Sequence, residues 1–393
     1  MRSKFLTFGV AIAILVSPLT SANATLKSAE IPTIFAELTN AKTLANPAIV
    51  LIDLKSGETI YNREADQLRK PASTLKLMSA FAALEFMPVE TTFNTAIYKS
   101  ASKNTFEIVG NFDPSITPSD KLTKDLKFVN SNNLVNQIRK EAKSRRLTIK
   151  YYGITYRTMT NMNSYFRRVG YRINWSAIKQ TETENISVAP LYKATSPDLG
   201  QILNYTLLFS DNWVADYLAK SAAVAAGYGY SPAGISAVYQ EVLTRYGIRN
   251  SQVETADGSG LSHLDRITAR TLAEVLIKMN ENSKFAAAIS GLPVGGISGT
   301  LQHRFIKSAP NAVGLVQAKT GSLDGVVSLA GFVDAGDRKY VFAIIADHIR
   351  RGYSSESAAR ASIDKLLGKI ASPLKSETAS EVNPTPSAES SAA

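Results

Sequence analysis

The chain contains no cysteine. It must therefore hold together by packing alone, and disulfides, thiol nucleophiles, cysteine metal sites and lipid-modified cysteines are all excluded. Histidine is nearly as scarce: His263, His303 and His348 stand far apart, and none belongs to a His-Glu-x-x-His pattern. A zinc hydrolase is disfavoured on that ground, and no metal or cofactor is expected. Long apolar runs are also missing. The best candidate, Phe5 to Leu19, is shorter than a membrane span needs. Preceded by Arg2 and Lys4 and followed by Ala22-Asn23-Ala24, it has the layout of a secretory signal over residues 1–24. A mature, exported chain would then start near Thr25, with a retained N-terminal anchor as the alternative.

Acidic residues are in deficit, 33 against 44 Lys and Arg, for a formal charge of +11. The imbalance sits in one place. Between Lys121 and Lys179 there are fourteen Lys or Arg and two acids, Asp125 and Glu141. The aromatic residues Tyr151, Tyr152, Tyr156, Tyr165, Phe166, Tyr171 and Trp175 interleave with these cations, a pattern compatible with nucleic acid or sugar. An export signal argues against nucleic acid, which leaves a solvated basic face or a contact with an anionic polymer of the envelope held by charge attraction.

A chain of 393 residues that is 45% hydrophobic can bury a large core. Ile31 to Leu38 reads as a short helix. Ala48 to Asp53 and Thr59 to Asn62 read as a hairpin about Lys55-Ser56-Gly57-Glu58. Leu75 to Met87 is apolar nearly all round, which marks a buried helix that Pro88 ends. From Thr91 to Ala194 only short strand-like runs stand out, Phe106 to Val109 and Leu147 to Tyr152. Pro197 to Ala226 is helical in period, as are Ser236 to Tyr246 and Thr268 to Met279, the last with Thr268 as N-cap. Three strands follow, Leu315 to Lys319, Val326 to Val333 and Tyr340 to Asp347, then a helix from Ser355 to Ile370. Residues 372–393 are rich in Ser, Pro, Glu and Ala and read as a disordered tail. The class is α+β: an antiparallel sheet joined from both ends of the chain and flanked by helices, with a helical subdomain.

Within this frame, Ser73-Thr74-Leu75-Lys76 opens the buried helix and puts a hydroxyl and an amine on one face about a turn apart. Free backbone N–H groups at a helix start favour an oxyanion forming there. The tetrapeptide pattern alone is weak, since it recurs at Ser100, Ser176, Ser362 and Ser372. Order and context favour one set: Ser73 with Lys76, then Ser210-Asp211-Asn212 after an apolar helical run, then Lys319-Thr320-Gly321 at a strand end. Ser131-Asn132-Asn133 competes with Ser210, though its surroundings are polar and basic.

Three further stretches narrow the reading: Asp257-Gly258-Ser259-Gly260-Leu261-Ser262, Gly296-Ile297-Ser298-Gly299-Thr300-Leu301-Gln302-His303-Arg304-Phe305, and the extended Ala318-Lys319-Thr320-Gly321-Ser322-Leu323. With Ser-x-x-Lys, Ser-Asp-Asn and Lys-Thr-Gly in that order, the chain resembles the penicillin-binding protein 4 type of D-alanyl-D-alanine carboxypeptidase/endopeptidase, of the serine β-lactamase/DD-peptidase superfamily. The resemblance implies a peptidase domain in two pieces, 25–100 and 195–371, with residues 101–194 as a basic inserted segment. Only 133 residues separate Lys76 from Ser210, so the large extra domains common in that family would be much reduced. His263 stands where the family tends to have Arg.

The resemblance also implies roles. Ser73 would attack the carbonyl between two D-alanines, with a neutral Lys76 taking its proton. The backbone N–H groups of Ser73 and Ser322 would hold the oxyanion. Ser210 would relay a proton to the leaving D-alanine, Asn212 would orient Lys76 and the substrate amide, and Lys319 with Thr320 and Gly321 would take the terminal carboxylate. Peptidoglycan stem peptides and β-lactams are the implied ligands. A β-lactamase would share the acylation apparatus, but none of Glu241, Glu254, Glu274 and Glu281 has the Asn four residues later that a class A deacylation loop carries. A non-catalytic wall-binding protein is the other alternative, and the complete Ser, Lys, Ser, Asn, Lys, Thr, Gly set argues against it.

Overall fold

The computed structural model describes residues 29–184, 186, 188–248 and 253–373. The expected signal and the tail beyond Pro373 lie outside the described residues. The chain begins with α1 (Ile31–Thr39) and the hairpin β1 (Ala48–Asp53) and β2 (Thr59–Arg63). Asp53 shapes the turn, its Oδ1 accepting from the backbone N–H groups of Lys55 and Ser56 at 2.9 Å. The buried helix α2 (Lys76–Phe86) follows a 3-10 turn over Ala72–Leu75.

Next come β3 (Thr92–Lys99), β4 (Thr105–Gly110), α3 (Asp120–Leu126), α4 (Ser131–Glu141), β5 (Arg146–Tyr152), α5 (Tyr156–Arg168), β6 (Arg172–Ala177), α6 (Gln180–Thr183) and β7 (Tyr192–Asp198). The helical part is α7 (Leu199–Phe209), α8 (Asn212–Ala225) and α9 (Pro232–Arg245). Two short strands, β8 (Val253–Glu254) and β9 (Arg266–Ile267), lead to α10 (Ala269–Glu281) and α11 (Ala286–Ser290). The chain closes with β10 (Val316–Leu323), β11 (Val326–Ala335), β12 (Arg338–Ala346) and α12 (Tyr353–Gly368).

The main sheet has the order β10-β11-β12-β1-β2 and is antiparallel throughout. The expected joining of both chain ends is therefore observed: β1 pairs with β12, Ala48 opposite Ile345. Every residue of β1 is buried because both sheet faces are covered. Val50 and Ile52 face α2 and α10, whereas Ile49 and Leu51 face α1 and α12. This alternation across two apolar cores explains why β1 reads as a continuous apolar run.

The middle of the chain folds as a second sheet, order β6-β5-β4-β3-β7, with α4 and α5 against it and a core of its own around Ile108, Ile149, Val135 and Phe166. The sheet takes in β3 and β7, so the inserted unit extends past both expected limits, 101 and 194. Between β5 and β6 lies α5, which buries Thr158, Met162 and Phe166 at four-residue spacing. Phe166 and Tyr171 are buried, and Trp175 lies edge-on to Tyr151 at 5.8 Å. Most of the interleaved aromatics thus build this core and do not form an open stacking platform.

The expected single helical run 197–226 is two helices. Ser210 is in the left-handed region (φ 61), and Asp211 caps α8 by accepting from Trp213 and Val214 N–H at 2.9 and 3.0 Å. Helix α9 starts at Pro232, earlier than expected, because Ser231 caps it and proline suits the first turn. Among the described residues, no helix is long and apolar enough to cross a membrane.

Candidate active site

Ser73 lies in the 3-10 turn that precedes α2, and the residue before it, Ala72, is buried with φ +48. Such a conformation is costly for alanine and persists only where surroundings impose it. They do so here. Thr74 Oγ1 and Ser328 Oγ both donate to Pro71 O, at 2.7 and 2.6 Å. From the other side Gly260 (φ +78) packs against Ala72 O, where a side chain would collide. Strand β10 closes on the same turn at Gly321. A Cβ there would meet Ser328 Oγ and stand 2.7 Å from Pro71 O and 3.1 Å from Ser73 N. Glycine is what lets the Lys-Thr-Gly strand reach the serine.

Lys76 is 1% exposed, and its Nζ has three oxygen neighbours: Ser73 Oγ at 2.8 Å, Asn212 Oδ1 at 2.7 Å and Ser259 O at 2.7 Å. Burial lowers its pKa to about 7, against the opposing pull of Asp257, Asp211 and Asp265. Lys319 is fully buried, and its Nζ donates to Ser210 Oγ at 2.8 Å and to Thr320 O at 2.9 Å. Its pKa is held well below the ordinary lysine range, first by burial and then by Lys76. No carboxylate pairs with either amine among the described residues.

The structure thus brings Ser73, Lys76, Ser210, Asn212, Lys319, Thr320 and Gly321 to one place. Ser322 follows on the same strand, its Oγ accepting from Arg360 Nη2 at 2.8 Å. Ser131 is elsewhere: it is buried at the start of α4 in the inserted unit, where Asn130 is the cap. The choice between the two serines falls to Ser210. His263 is exposed, and its carbonyl accepts from Arg266.

Several contributors carry no role in the sequence reading. Ser259 supplies a carbonyl to Lys76, and Asp257 shapes its loop. Asp257 Oδ1 accepts from Ser259 N at 2.6 Å and Gly260 N at 2.7 Å, and its Oδ2 from Ser262 N at 2.8 Å. The Asp-Gly-Ser-Gly run was the available signal, but a main-chain carbonyl has no side-chain signature. Thr300 Oγ1 is 2.7 Å from Thr320 Oγ1. Arg304 makes a buried pair with Asp364 of α12 and supports that segment. The inserted unit also reaches the site: Arg157 of α5 pairs with Asp211 at 3.4 Å. A cavity of about 390 Å³ opens beside Asn212, Trp213, Asp257 and Ser259.

The geometry agrees with what the chain is similar to. It is 34% identical over 157 residues to a D-alanyl-D-alanine carboxypeptidase of Actinomadura sp. (strain R39), covering 38% of this chain and 29% of that protein. It is 36% identical over 146 residues to the D-alanyl-D-alanine carboxypeptidase DacB of Haemophilus influenzae, covering 36% and 30%. The chain spans about a third or less of the length of these curated relatives. In fold it resembles the crystal structure of penicillin binding protein 4 (dacB) from Haemophilus influenzae, with a TM-score of 0.67 at 17% identity over 85% of this chain and 98% of that one. A predatory endopeptidase from Bdellovibrio bacteriovorus, in complex with an immunity protein, matches with a TM-score of 0.57 at 15% identity over 86% and 96%. The profile of the D-Ala-D-Ala carboxypeptidase 3 (S13) family matches residues 33–145 and 158–370, and the chain belongs to that family.

Proposed function

We propose that the protein is an exported serine peptidase that cleaves the D-alanyl-D-alanine bond of peptidoglycan stem peptides through an acyl-enzyme, and that β-lactams acylate the same serine. One observation carries this reading: the three oxygens around Lys76 Nζ. Asn212 Oδ1 and Ser259 O can only accept, so they take the two N–H bonds of a neutral amine. In that neutral form the lone pair faces Ser73 Oγ at 2.8 Å, the arrangement a general base needs.

In the proposed reaction the Ser73 proton passes to Lys76 as Oγ bonds to the substrate carbonyl carbon. The oxyanion is received by the N–H groups of Ser73 and Ser322. Ser210, hydrogen-bonded to Lys319, gives its proton to the amide nitrogen as the C–N bond breaks and D-alanine leaves, and takes in return the proton that Lys76 received from Ser73. Water then gives a proton to the neutral Lys76 as its oxygen adds to the ester carbonyl, and the same proton returns to Ser73 Oγ as the ester C–O bond breaks. Lys319 is a buried amine with no carboxylate partner among the described residues; the substrate's terminal carboxylate would supply one and favour its charged form, with Thr320 beside it. β-Lactam acylation is supported by likeness in fold to a penicillin G acylated endopeptidase of Bdellovibrio bacteriovorus, TM-score 0.56 at 15% identity. The basic segment Lys121–Lys179 is read as carrying, on part of its surface, a contact for anionic envelope polymer.

Incubating the protein with purified wall fragments and identifying the products tests this reading. Free D-alanine or split cross-linked dimers are expected; intact fragments alongside an acylatable Ser73 would contradict it.

A further inference from the structure

Strands β4, β5 and β6 are mutually parallel, so α4 and α5 both return the chain to the same end of the inserted unit. That end collects cations. Arg139 and Lys140 lie in the last turn of α4, and Arg167 and Arg168 in the last turn of α5. Lys143, Arg145, Arg146 and Arg172 sit at or just before the starts of β5 and β6. Hydrogen bonds and strand register bring Arg145, Arg146 and Arg172 together beside the end of α5. Arg172 N donates to Arg145 O at 2.8 Å, Arg146 is opposite Arg172 in register, and Arg145 Nη1 donates to Val169 O at 3.1 Å. The guanidinium carbons of Arg145 and Arg139 lie 4.6 and 6.0 Å from the Tyr171 ring, and that of Arg168 lies 4.7 Å from the Tyr165 ring. These cations are braced on aromatic faces.

From residue 139 to 172 the single acid is Glu141, and it pairs with Lys99 at 3.5 Å. Among the described residues none of the eight cations has a carboxylate partner. The four at helix C-termini answer the helix dipoles. Arg145 does so as well, through Val169 O at the C-terminal cap of α5, whereas Lys143, Arg146 and Arg172 have no such account, and their repulsion with the rest of the patch disfavours the fold unless an anion relieves it. A membrane surface fits poorly. The exposed large apolar residues of the inserted unit are Tyr156, Val188 and Leu191, none of them in the patch. Tyr156 opens α5 at its far end, about 18 Å away at 1.5 Å per residue.

We propose that this end of the inserted unit is a docking face for a flexible phosphodiester polymer of the cell envelope; its placement in the envelope rests on the export reading above. Six of the eight cations are arginines, whose planar forks donate several N–H groups to one phosphate. Arg146 and Arg172, on strands about 4.8 Å apart, are close enough to share one. The opposite end of α5 contacts Asp211 through Arg157, so a polymer bound here anchors the enzyme with its active site left open.

The test is binding of soluble poly(glycerol phosphate) to the mature chain over a range of salt. Polyglutamate and phosphatidylglycerol vesicles serve as competing probes. The patch variant is R146S/R167S/R172S, and the control K121S/K124S/K127S makes the same charge change on and beside α3. The expected result is salt-sensitive polymer binding, weakened by about tenfold or more in the patch variant and by less than about twofold in the control. Equal weakening in both variants would overturn the proposal. So would absence of polymer binding, or tighter binding to vesicles or polyglutamate. Labelled penicillin should acylate all three proteins alike; patch-specific binding in a chain that penicillin fails to label would support the surface and overturn the enzymatic reading instead.

Discussion

Lys76 Nζ and Asn212 Oδ1 are 2.7 Å apart across 136 residues of sequence, joining the first turn of α2 to the first residue of α8. The contact fixes where the amine points. Replacing Asn212 with Ala removes one of two acceptors that aim the lone pair at Ser73, and the acylation rate should fall by about tenfold to a hundredfold. Lys76→Ala removes the proposed base and should cost about 10²–10⁴-fold. Stopped-flow acylation by a chromogenic cephalosporin measures both.

Lys76 must be neutral to act, and burial brings its pKa from 10.5 to about 7. The acylation rate should therefore rise as pH passes through about 7 and level off above it. A depressed lysine pKa means that the unfolded chain holds more protons between about 7 and 10.5, so this group's contribution to stability improves with pH across that window. A pH–rate profile lacking a rising limb near 7 would exclude Lys76 as the titrating base.

Gly321→Ala places a methyl group against Ser328 Oγ, Pro71 O and Ser73 N, all parts of the braced turn. Either β10 or the serine turn must shift. The expected outcome is loss of penicillin labelling by about tenfold or more, since small displacements of reacting groups are costly, with the main sheet retained by circular dichroism. By contrast Gly57→Ala, in open space at a hairpin turn with φ +73, should affect melting temperature alone.

Much of this site was legible before any coordinates. The buried helix after Ser73, the apolar strands β1, β11 and β12 and the order of the three motifs follow from periodicity and residue type. What the sequence concealed has physical causes. The inserted unit escaped because α5 buries one narrow face, Thr158, Met162 and Phe166, among polar neighbours. Its sheet also pairs β4 with β5, and β5 with β6, over long sequence separations. The break at Ser210 was hidden because a serine at φ 61 breaks no local rule visible in its neighbours. Ser259 was missed as a partner of Lys76 because its carbonyl, common to every residue, makes the contact.

Asp265 is buried, with Oδ1 accepting from Ala256 N at 2.7 Å and Oδ2 lacking a hydrogen-bond partner. Burial, with Asp257 nearby, raises its pKa to about 7. A carboxyl so raised favours the folded state at low pH, and that contribution is lost as pH rises from its unfolded value toward about 7. Asp265→Asn removes the buried charge and keeps the acceptor. Its melting temperature relative to the unsubstituted protein should be higher at pH 8 than at pH 5, measured by thermal denaturation at both.

Covalent labelling by penicillin followed by peptide mapping reads directly whether Ser73 is the acylated nucleophile. One label is expected, on the peptide containing Ser73, absent from Ser73→Ala while that variant keeps its thermal transition. A label that persists in folded Ser73→Ala, or maps to another serine, would contradict that assignment.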